Sequence, residues 1–120
     1  MKKTLMLAVA LAFTMSAGYS HADGAKLAKR KCGTCHDLSD KQKKKVGPPL
    51  WGVAGRPVAS VEGFKYSGPM QDKGGVWDDA NLDAFLTKPA TAVRKTKMKF
   101  AGLKKDDERA AVIEYLHTLK

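Results

Sequence analysis

The pattern of apolar and polar positions predicts three helices, of which the central one is the clearest. Leu82, Phe85 and Leu86 fall at i, i+3 and i+4, so they form one apolar stripe on a helix. We expect this helix to cover about residues 78–88, because the residue before Pro89 disfavours helical backbone.

The other two predicted helices lie on either side of the central one. The first is expected from about Gly24 to Cys35, with Asp23 as its N-cap and with Leu27 and Ala28 on its inner side. The last is expected from about Asp106 to the end of the chain. Its apolar residues cover more than one face, which predicts that it is well buried; they are Val112, Ile113, Tyr115, Leu116 and Leu119.

A long segment between His36 and Tyr66 is rich in glycine and proline, and no part of the chain alternates as a strand. Its turn-forming residues are Gly47, Pro48, Pro49, Gly52, Gly55, Pro57 and Gly63. Such a loop is unusually long for a compact domain, and a small domain buries little surface of its own. We therefore expect the loop to pack on a large apolar cofactor. A short helical turn is also expected over residues 69–73.

The N-terminus has the pattern of a bacterial secretory signal peptide. Two lysines precede an uncharged run from Leu5 to Phe13, and small residues follow up to Ala22. A retained membrane anchor is the alternative, but the run has about nine residues and a spanning helix needs about 20. We expect residues 1–22 to be cleaved, so that residues 23–120 form one soluble periplasmic domain.

The chain is strongly basic, which favours acidic partners. Its formal net charge is +10, and residues 1–22 contribute two lysines and no acidic residue, so the remainder carries +8. Export to the periplasm removes nucleic acid as an expected partner. The only dense run of lysines, residues 41–45, is either a docking site or an ordinary solvated loop.

The chemistry of the chain is concentrated in Cys32-Gly33-Thr34-Cys35-His36, which matches the C-x-x-C-H pattern of covalent haem attachment. Two thiols at this spacing can reach the two vinyl groups of one porphyrin and form thioether bonds. The imidazole that follows is then placed under the iron. These cysteines are the only two in the chain.

Three other interpretations of the motif are weaker. A thioredoxin-like site needs a βαβ setting, and no strand precedes this one. A zinc site needs further ligands, and only His21 and His117 remain. A structural disulfide would close too small a loop to stabilise the fold much.

A haem iron with six ligands needs a second axial residue, and three candidates remain: Met70, Met98 and His117. Met98 lies in a loop between the two longer helices, from which it could reach the far face of a haem. His117 lies on a helix, and a methionine is often only core filler. The residues alone favour Met98 and leave the other two open.

Further short motifs follow the attachment motif in order. They are Gly47-Pro48-x-Leu50, Gly55-Arg56, Gly63-Phe64-x-Tyr66, Trp77, Leu86-x-x-Pro89, Thr96-Lys97-Met98-x-Phe100-Ala101-Gly102, and Arg109 through Tyr115-Leu116. With them, residues 23–120 resemble a class I c-type cytochrome, close to mitochondrial cytochrome c and its bacterial periplasmic relatives. The resemblance implies an all-α fold, the small cytochrome c fold, with three main helices and long loops around one covalently bound haem c.

The resemblance also implies roles for individual residues. His36 and Met98 would be the axial ligands of the iron, and the Pro48 carbonyl would accept a hydrogen bond from the His36 ring. Gly24 would let the first helix approach the last near Tyr115. The residues implied to bind the haem are Cys32 and Cys35, covalently, and Pro48, Arg56, Tyr66, Trp77 and Thr96. Of these, Arg56, Tyr66 and Trp77 would hold one propionate.

Five positions depart from the family pattern. Ala28 stands where an aromatic residue usually packs on the last helix, so we expect a weaker contact there. Phe85 replaces a tyrosine and Met70 a polar residue, which makes the haem pocket drier. Arg94 and Lys95 replace a Pro-Gly pair just before the Met98 loop and are expected to alter its mobility.

The function implied is that of a monomeric one-electron carrier rather than an enzyme. Lysines would ring an exposed haem edge and dock acidic redox proteins, unless they are ordinary surface lysines; they are Lys31, Lys45, Lys97 and Lys105. The implied donor is a quinol-cytochrome c oxidoreductase and the acceptor a terminal oxidase, although a photosynthetic reaction centre or a periplasmic dehydrogenase fits as well. The alternatives are a peroxidase-like haem enzyme or a small-gas sensor with a labile Met98.

Overall fold

Five helices follow one another in the computed structural model, which describes residue 10 and residues 20–120; the predicted signal peptide over residues 1–22 lies almost wholly outside the described residues. The helices are α1 (His21–Lys31), α2 (Gly68–Lys73), α3 (Asp79–Thr87), α4 (Pro89–Ala92) and α5 (Asp106–His117). This part of the chain contains no strand, only one isolated antiparallel bridge between Pro57 and Val76. The predicted all-α class is confirmed. None of the described helices has the length and apolar character needed to cross a membrane.

Helix α1 begins earlier than predicted because Ser20, and not Asp23, is its N-cap. The Ser20 hydroxyl accepts a hydrogen bond from the Asp23 backbone N–H at 3.3 Å, and the Asp23 carboxylate accepts one from the Ser20 N–H at 3.1 Å. This reciprocal capping box satisfies two backbone donors at the start of the helix. The Ser20 backbone hydrogen bond, above all, lowers the pKa of Asp23.

Helix α1 also ends before the predicted boundary at Cys35. Its last residue is Lys31, and Cys32 is the C-cap. The Cys32 carbonyl then accepts hydrogen bonds from the N–H groups of Cys35, at 3.1 Å, and His36, at 2.9 Å. The attachment motif is therefore a separate tight turn after the helix, and the weak helix propensity of Gly33 favours this break.

Helix α3 lies where the apolar stripe predicted it, and the segments after it differ from expectation. The Asp78 side chain caps α3 by accepting from the Asn81 N–H at 2.8 Å. Pro89 ends the helix as predicted but also starts the short helix α4, where its missing N–H costs nothing. Helix α5 begins at Asp106 as expected and ends at His117 rather than at the end of the chain.

Small residues let α1 and α5 cross in close contact. A Cβ atom on Gly24 would lie 2.3 Å from the Ala111 carbonyl oxygen, so any side chain at position 24 would collide with backbone. This contact is at Ala111, about one turn before Tyr115, where the resemblance placed it. Ala28 is 0 % exposed in the same interface, so the position that carries an aromatic residue in the family pattern is fully enclosed here.

One buried arginine joins α3, α5 and the segment between α4 and α5. Arg109 is 7 % exposed, and its Nε donates to Asp83 of α3 at 2.8 Å. Its Nη1 donates to the carbonyls of Leu103, at 2.9 Å, and Lys104, at 3.1 Å, while Nη2 binds Asp106. The guanidinium thus fixes the start of α5 against α3, and its hydrogen bonds raise the pKa of Arg109.

The segment that carries Met98 is tied down at both ends on neighbouring residues. The Val93 N–H donates to the Pro89 carbonyl at 2.8 Å, and the Leu103 N–H donates to the Leu86 carbonyl at 2.7 Å. Residues 93–103, which we call the Met98 loop, therefore leave and rejoin the molecule at almost the same place.

Candidate functional site

The loops and helices enclose an apolar cavity of about 570 Å³. Apolar residues of α3 and α5 form part of its wall, including Leu82, Phe85 and Leu116. The structure brings together on this cavity every residue that the sequence predicted to bind the cofactor: Cys32, Cys35, His36, Pro48, Arg56, Tyr66, Trp77, Thr96 and Met98. The placement leaves their individual roles as predictions.

The two cysteines of the tight turn face different surroundings. Cys32 is buried, and this burial raises the pKa of its thiol to about 11, so the thiol is neutral at physiological pH. Cys35 is exposed at the rim. Both line the cavity, which is the arrangement that two thioether bonds to one porphyrin require.

The His36 ring is held by the backbone of the following loop. Its Nδ1 lies 2.6 Å from the Pro48 carbonyl oxygen, so a ring N–H there donates to that carbonyl and Nε2 is left to ligate a metal. Burial, as the largest cause, lowers the pKa of His36, which favours the neutral imidazole that metals bind. A Cβ atom at Gly47 would lie 2.3 Å from the ring, so only glycine fits beside it.

Arg56 carries a buried donor that no other part of the described chain satisfies. Its Nη1 donates to the carbonyls of Pro49, at 3.1 Å, and Trp51, at 3.3 Å. Its Nε is buried without a hydrogen-bond partner, and burial lowers the pKa of Arg56. A partly buried guanidinium with a free, buried N–H beside an apolar cavity suits an anionic group such as a haem propionate.

Tyr66 and Trp77 lie on the same cavity as Arg56. The Trp77 backbone N–H donates to the Arg56 carbonyl at 2.8 Å, and the Trp77 ring packs on Phe85 with centroids 5.0 Å apart. The Tyr66 hydroxyl accepts from the Val61 N–H at 3.0 Å, which leaves its own O–H as a donor. No motif in the sequence marks Lys73, whose ammonium lies 5.9 Å from the Trp77 ring centroid in cation–π contact.

The three candidates for the second axial ligand are separated by the fold. Met98 lines the cavity, and the hydroxyl of Thr96 accepts from its backbone N–H at 3.3 Å. Met70 lines the cavity too. His117 does not: its Nε2 lies 2.5 Å from an Asp79 carboxylate oxygen at the outer ends of α3 and α5.

The departures from the family pattern fall partly on the cavity and partly outside it. Phe85 and Met70 both line it, so two apolar side chains lie there at positions for which the resemblance implied polar ones. Arg94 and Lys95 are exposed. Lys95 has a φ of 59°, in the left-handed region that favours glycine, so this lysine is strained at the start of the Met98 loop.

The predicted docking lysines are all exposed, but only some of them line the cavity. Lys31 and Lys97 line it, and so do Lys65 and Lys99, which the sequence did not single out. Lys105 lies outside its lining and is the N-cap residue of α5. The Lys45 ammonium donates to the Gly33 carbonyl at 2.7 Å, so its charge is held against the attachment turn.

The residues of the cavity fit a c-type haem. The site combines two thiols at the attachment spacing, a neutral imidazole, a thioether, an unpaired guanidinium N–H and an apolar wall. His36 and Met98, the ligands that the resemblance implies, both line this cavity and could hold an iron there. Within residues 20–120 no group of three or more His, Cys, Asp or Glu side chains could hold a metal ion without such a cofactor.

Comparisons with known proteins agree with this fit. The family model described as Cytochrome c matches residues 21–120. The chain is 46 % identical over 99 residues to the "Cytochrome c homolog" of Rickettsia felis; the match covers 82 % of this chain and 57 % of that protein. This chain therefore spans little more than half the length of that relative.

Two shorter bacterial proteins match along most of their own length. The "Cytochrome c2" of Pararhodospirillum photometricum is 46 % identical over 110 residues, covering 82 % of this chain and 96 % of that protein. The "Cytochrome c-554" of Methylosinus trichosporium is 39 % identical over 116 residues, covering 93 % of this chain and 88 % of that protein.

Proposed function

Because this chain belongs to the cytochrome c family, we propose that it is a one-electron carrier whose haem iron is ligated by His36 and Met98. The cofactor of the family is haem c, covalently attached, and Cys32 and Cys35 are consistent with its C-x-x-C-H motif. When bound, the haem supplies an iron that changes its charge by one electron.

The observation that carries the proposal is that an imidazole and a thioether line the same apolar cavity. With His36 and Met98 both bound to it, the iron would have no free coordination position for a substrate. Methionine ligation and a wall of low dielectric favour the reduced iron, which suits a carrier of high potential. The chain's own residues keep water out, hold the His36 ring and balance the propionate charge through Arg56.

The proposal excludes catalysis at the iron, as in a peroxidase-like enzyme or a gas sensor. Both need an open or weakly held sixth position. The Thr96 hydroxyl fixes the backbone beside Met98, and Phe85 and Met70 offer no polar group to a bound peroxide. A methionine held in this way supports a closed iron.

The partners and the location follow from charge and from the N-terminus. Lysines at the cavity favour acidic redox proteins, with a quinol-cytochrome c oxidoreductase as donor and a terminal oxidase as acceptor. The basic and apolar start of the chain supports export to the periplasm, with cleavage after Ala22. Cleavage there removes Ser20, so the Ser20–Asp23 capping box of α1 belongs to the uncleaved chain. The carrier is proposed to act there as a monomer.

The ligand assignment is tested by the absorption spectrum of the ferric holoprotein and by carbon monoxide binding to the ferrous form. A methionine-to-iron bond gives a weak far-red band, and Met98→Ala is expected to abolish it and to open the iron to carbon monoxide. Met70→Ala is the matched control, because this methionine shares the cavity, and should keep the band. If Met98→Ala left carbon monoxide reactivity unchanged, the carrier mechanism would lose its basis.

Docking is tested by reversing charges at the cavity. Lys31→Glu with Lys97→Glu should slow oxidation by a terminal oxidase at low salt and flatten its salt dependence, because opposite charges steer association. Lys29→Glu with Lys120→Glu changes the net charge equally away from the cavity lining. Equal slowing by both pairs would show that only net charge matters.

A further inference from the structure

Lys73 differs from the other lysines of the described residues, because its side chain is partly buried. Every other lysine between residues 20 and 120 is exposed. The Lys73 ammonium lies 5.9 Å from the centroid of the Trp77 ring, within the range of a cation–π contact. A lysine loses rotamer freedom when its stem is fixed against the protein, so this placement needs a compensating contact. The face of the indole ring supplies it.

The backbone around Lys73 determines where this ammonium lies. Lys73 is the last residue of α2, and the Ser67 side chain caps the other end of that helix. Gly74 and Gly75 follow with φ of 65° and 78°, in the left-handed region that glycine adopts without strain. They reverse the chain, so that Trp77 comes back to the end of α2. The contact between the ammonium and the ring is therefore set by the fold and not by the lysine side chain alone.

The Trp77 ring that Lys73 contacts is also held by residues of the cavity wall. Phe85 packs on the ring with centroids 5.0 Å apart and the two planes tilted by 55°. The Trp77 backbone N–H donates to the Arg56 carbonyl at 2.8 Å, which ties the tryptophan to the arginine that has a free N–H. Trp77 and Arg56 line the cavity, and Lys73 does not. The ammonium therefore contacts the ring from outside the cavity lining.

We propose that Lys73 is a positioning residue for the Trp77 indole, and that it thereby raises the reduction potential of the bound haem. The inference rests on the proposed function, in which Trp77 and Arg56 hold a propionate. An indole has a single N–H donor, so it can offset the charge of a propionate only while the ring keeps one orientation. Hydrogen bonding around a haem is one of the means by which a protein sets its potential, and offsetting a nearby negative charge favours the reduced iron.

The test measures the reduction potential of the holoprotein by mediated redox titration at fixed pH and ionic strength. Lys73→Met keeps the length of the side chain without its charge, and should lower the ratio of ferrous to ferric protein about threefold at a given ambient potential. That ratio corresponds to about 30 mV, at about 59 mV per tenfold change for one electron. Lys73→Arg keeps a cation over the ring and should restore the potential. Lys65→Met, the matched control, removes an exposed and screened charge from the cavity lining and should leave the ratio unchanged.

A double-mutant cycle separates positioning of the indole from the simple effect of charge. Trp77→Phe keeps an aromatic ring but has no N–H, so it leaves Lys73 no donor to position. In that background Lys73→Met should leave the potential unchanged, because the two substitutions remove the same contribution. An equal loss in both backgrounds would show that the ammonium acts only through its charge, and would overturn the proposal.

Three other results would contradict the positioning role. A potential of Lys73→Met equal to that of the unaltered protein would show that the ammonium has no influence on the haem. A Lys73→Arg potential as low as that of Lys73→Met would deny the cation over the ring its part. Equal losses for Lys73→Met and Lys65→Met would show that only net charge matters. The proposed function fails separately, if the unaltered holoprotein lacks the far-red band or does not take up one electron reversibly.

Discussion

The contact between α1 and α5 and the wall of the haem cavity are stabilised in opposite ways. At the helix crossing the chain meets itself: Gly24 leaves no space beside Ala111, and Ala28 is completely enclosed. At the cavity the loops face a space of about 570 Å³, and the Arg56 Nε has no partner in the described chain. One region is completed by polypeptide alone, and the other is completed by the cofactor. Changes at the cavity should therefore act mainly on haem retention, and changes at the helix crossing mainly on the free energy of unfolding.

The largest expected effect is on the cavity side, from removing both attachment thiols. Cys32→Ala with Cys35→Ala should abolish stable holoprotein, because a domain this small needs the haem as part of its core. Haem staining and protease resistance measure the loss, and Cys35→Ala alone, with one thioether left, is the control. In the double variant, hydrogen exchange should be fastest in the Gly/Pro-rich loop and slowest where α1 meets α5. Coloured, protease-resistant protein would contradict the dependence on attachment.

A smaller effect is expected from a single methyl group at the helix crossing. Gly24→Ala places a Cβ against the Ala111 carbonyl and should lower the free energy of unfolding by about 3 kcal/mol, as overpacking does. Gly68→Ala is the matched control, since no atom lies within 4 Å of a Cβ there. Denaturant titration of the holoprotein measures both, and the haem spectrum of Gly24→Ala should be unchanged. A changed spectrum would show that the two regions are coupled.

The smallest effect concerns the strained lysine near the start of the Met98 loop. Lys95 has a positive φ, so Lys95→Gly relieves backbone strain in the folded state. Glycine also raises the conformational entropy of the unfolded chain, which offsets part of that gain. The free energy of unfolding should therefore rise by about 0.5 kcal/mol. Arg94→Gly, at ordinary φ, should lower stability by a similar amount. The two denaturation midpoints would then move in opposite directions. Midpoints that moved together would show that φ at residue 95 is not the cause.

Local patterns in the sequence were enough to predict the α3 stripe and the attachment motif. Leu82, Phe85 and Leu86 are buried as their spacing indicated. C-x-x-C-H identifies its cofactor because the motif itself contains the reacting groups. The later motifs, from Pro48 to Met98, carry a resemblance to a family, and the residues that this resemblance implied to bind the haem all line one cavity.

The features that the sequence could not predict are of two kinds. Some are contacts between residues far apart in the chain, and one is the choice between two nearby residues for the same N-cap position. Two caps were possible for α1, and Ser20 takes the position because Asp23 can bind back to it. Arg109 is only a charged residue in the sequence until α3 brings Asp83 beside it. The role of Lys45 also changes, because its ammonium is engaged by a carbonyl twelve residues earlier.

The way in which the Met98 loop is tied has a consequence for how the protein can move. Both ends of the loop are held by carbonyls of the α3–α4 region, Leu86 at one end and Pro89 at the other. A loop whose ends already lie together can open and close without separating the helices, and little chain entropy is needed to re-form it. Detachment of the methionine would then be a local and reversible event. The position of the Met98 side chain and the global fold can therefore respond to different perturbations within one small domain.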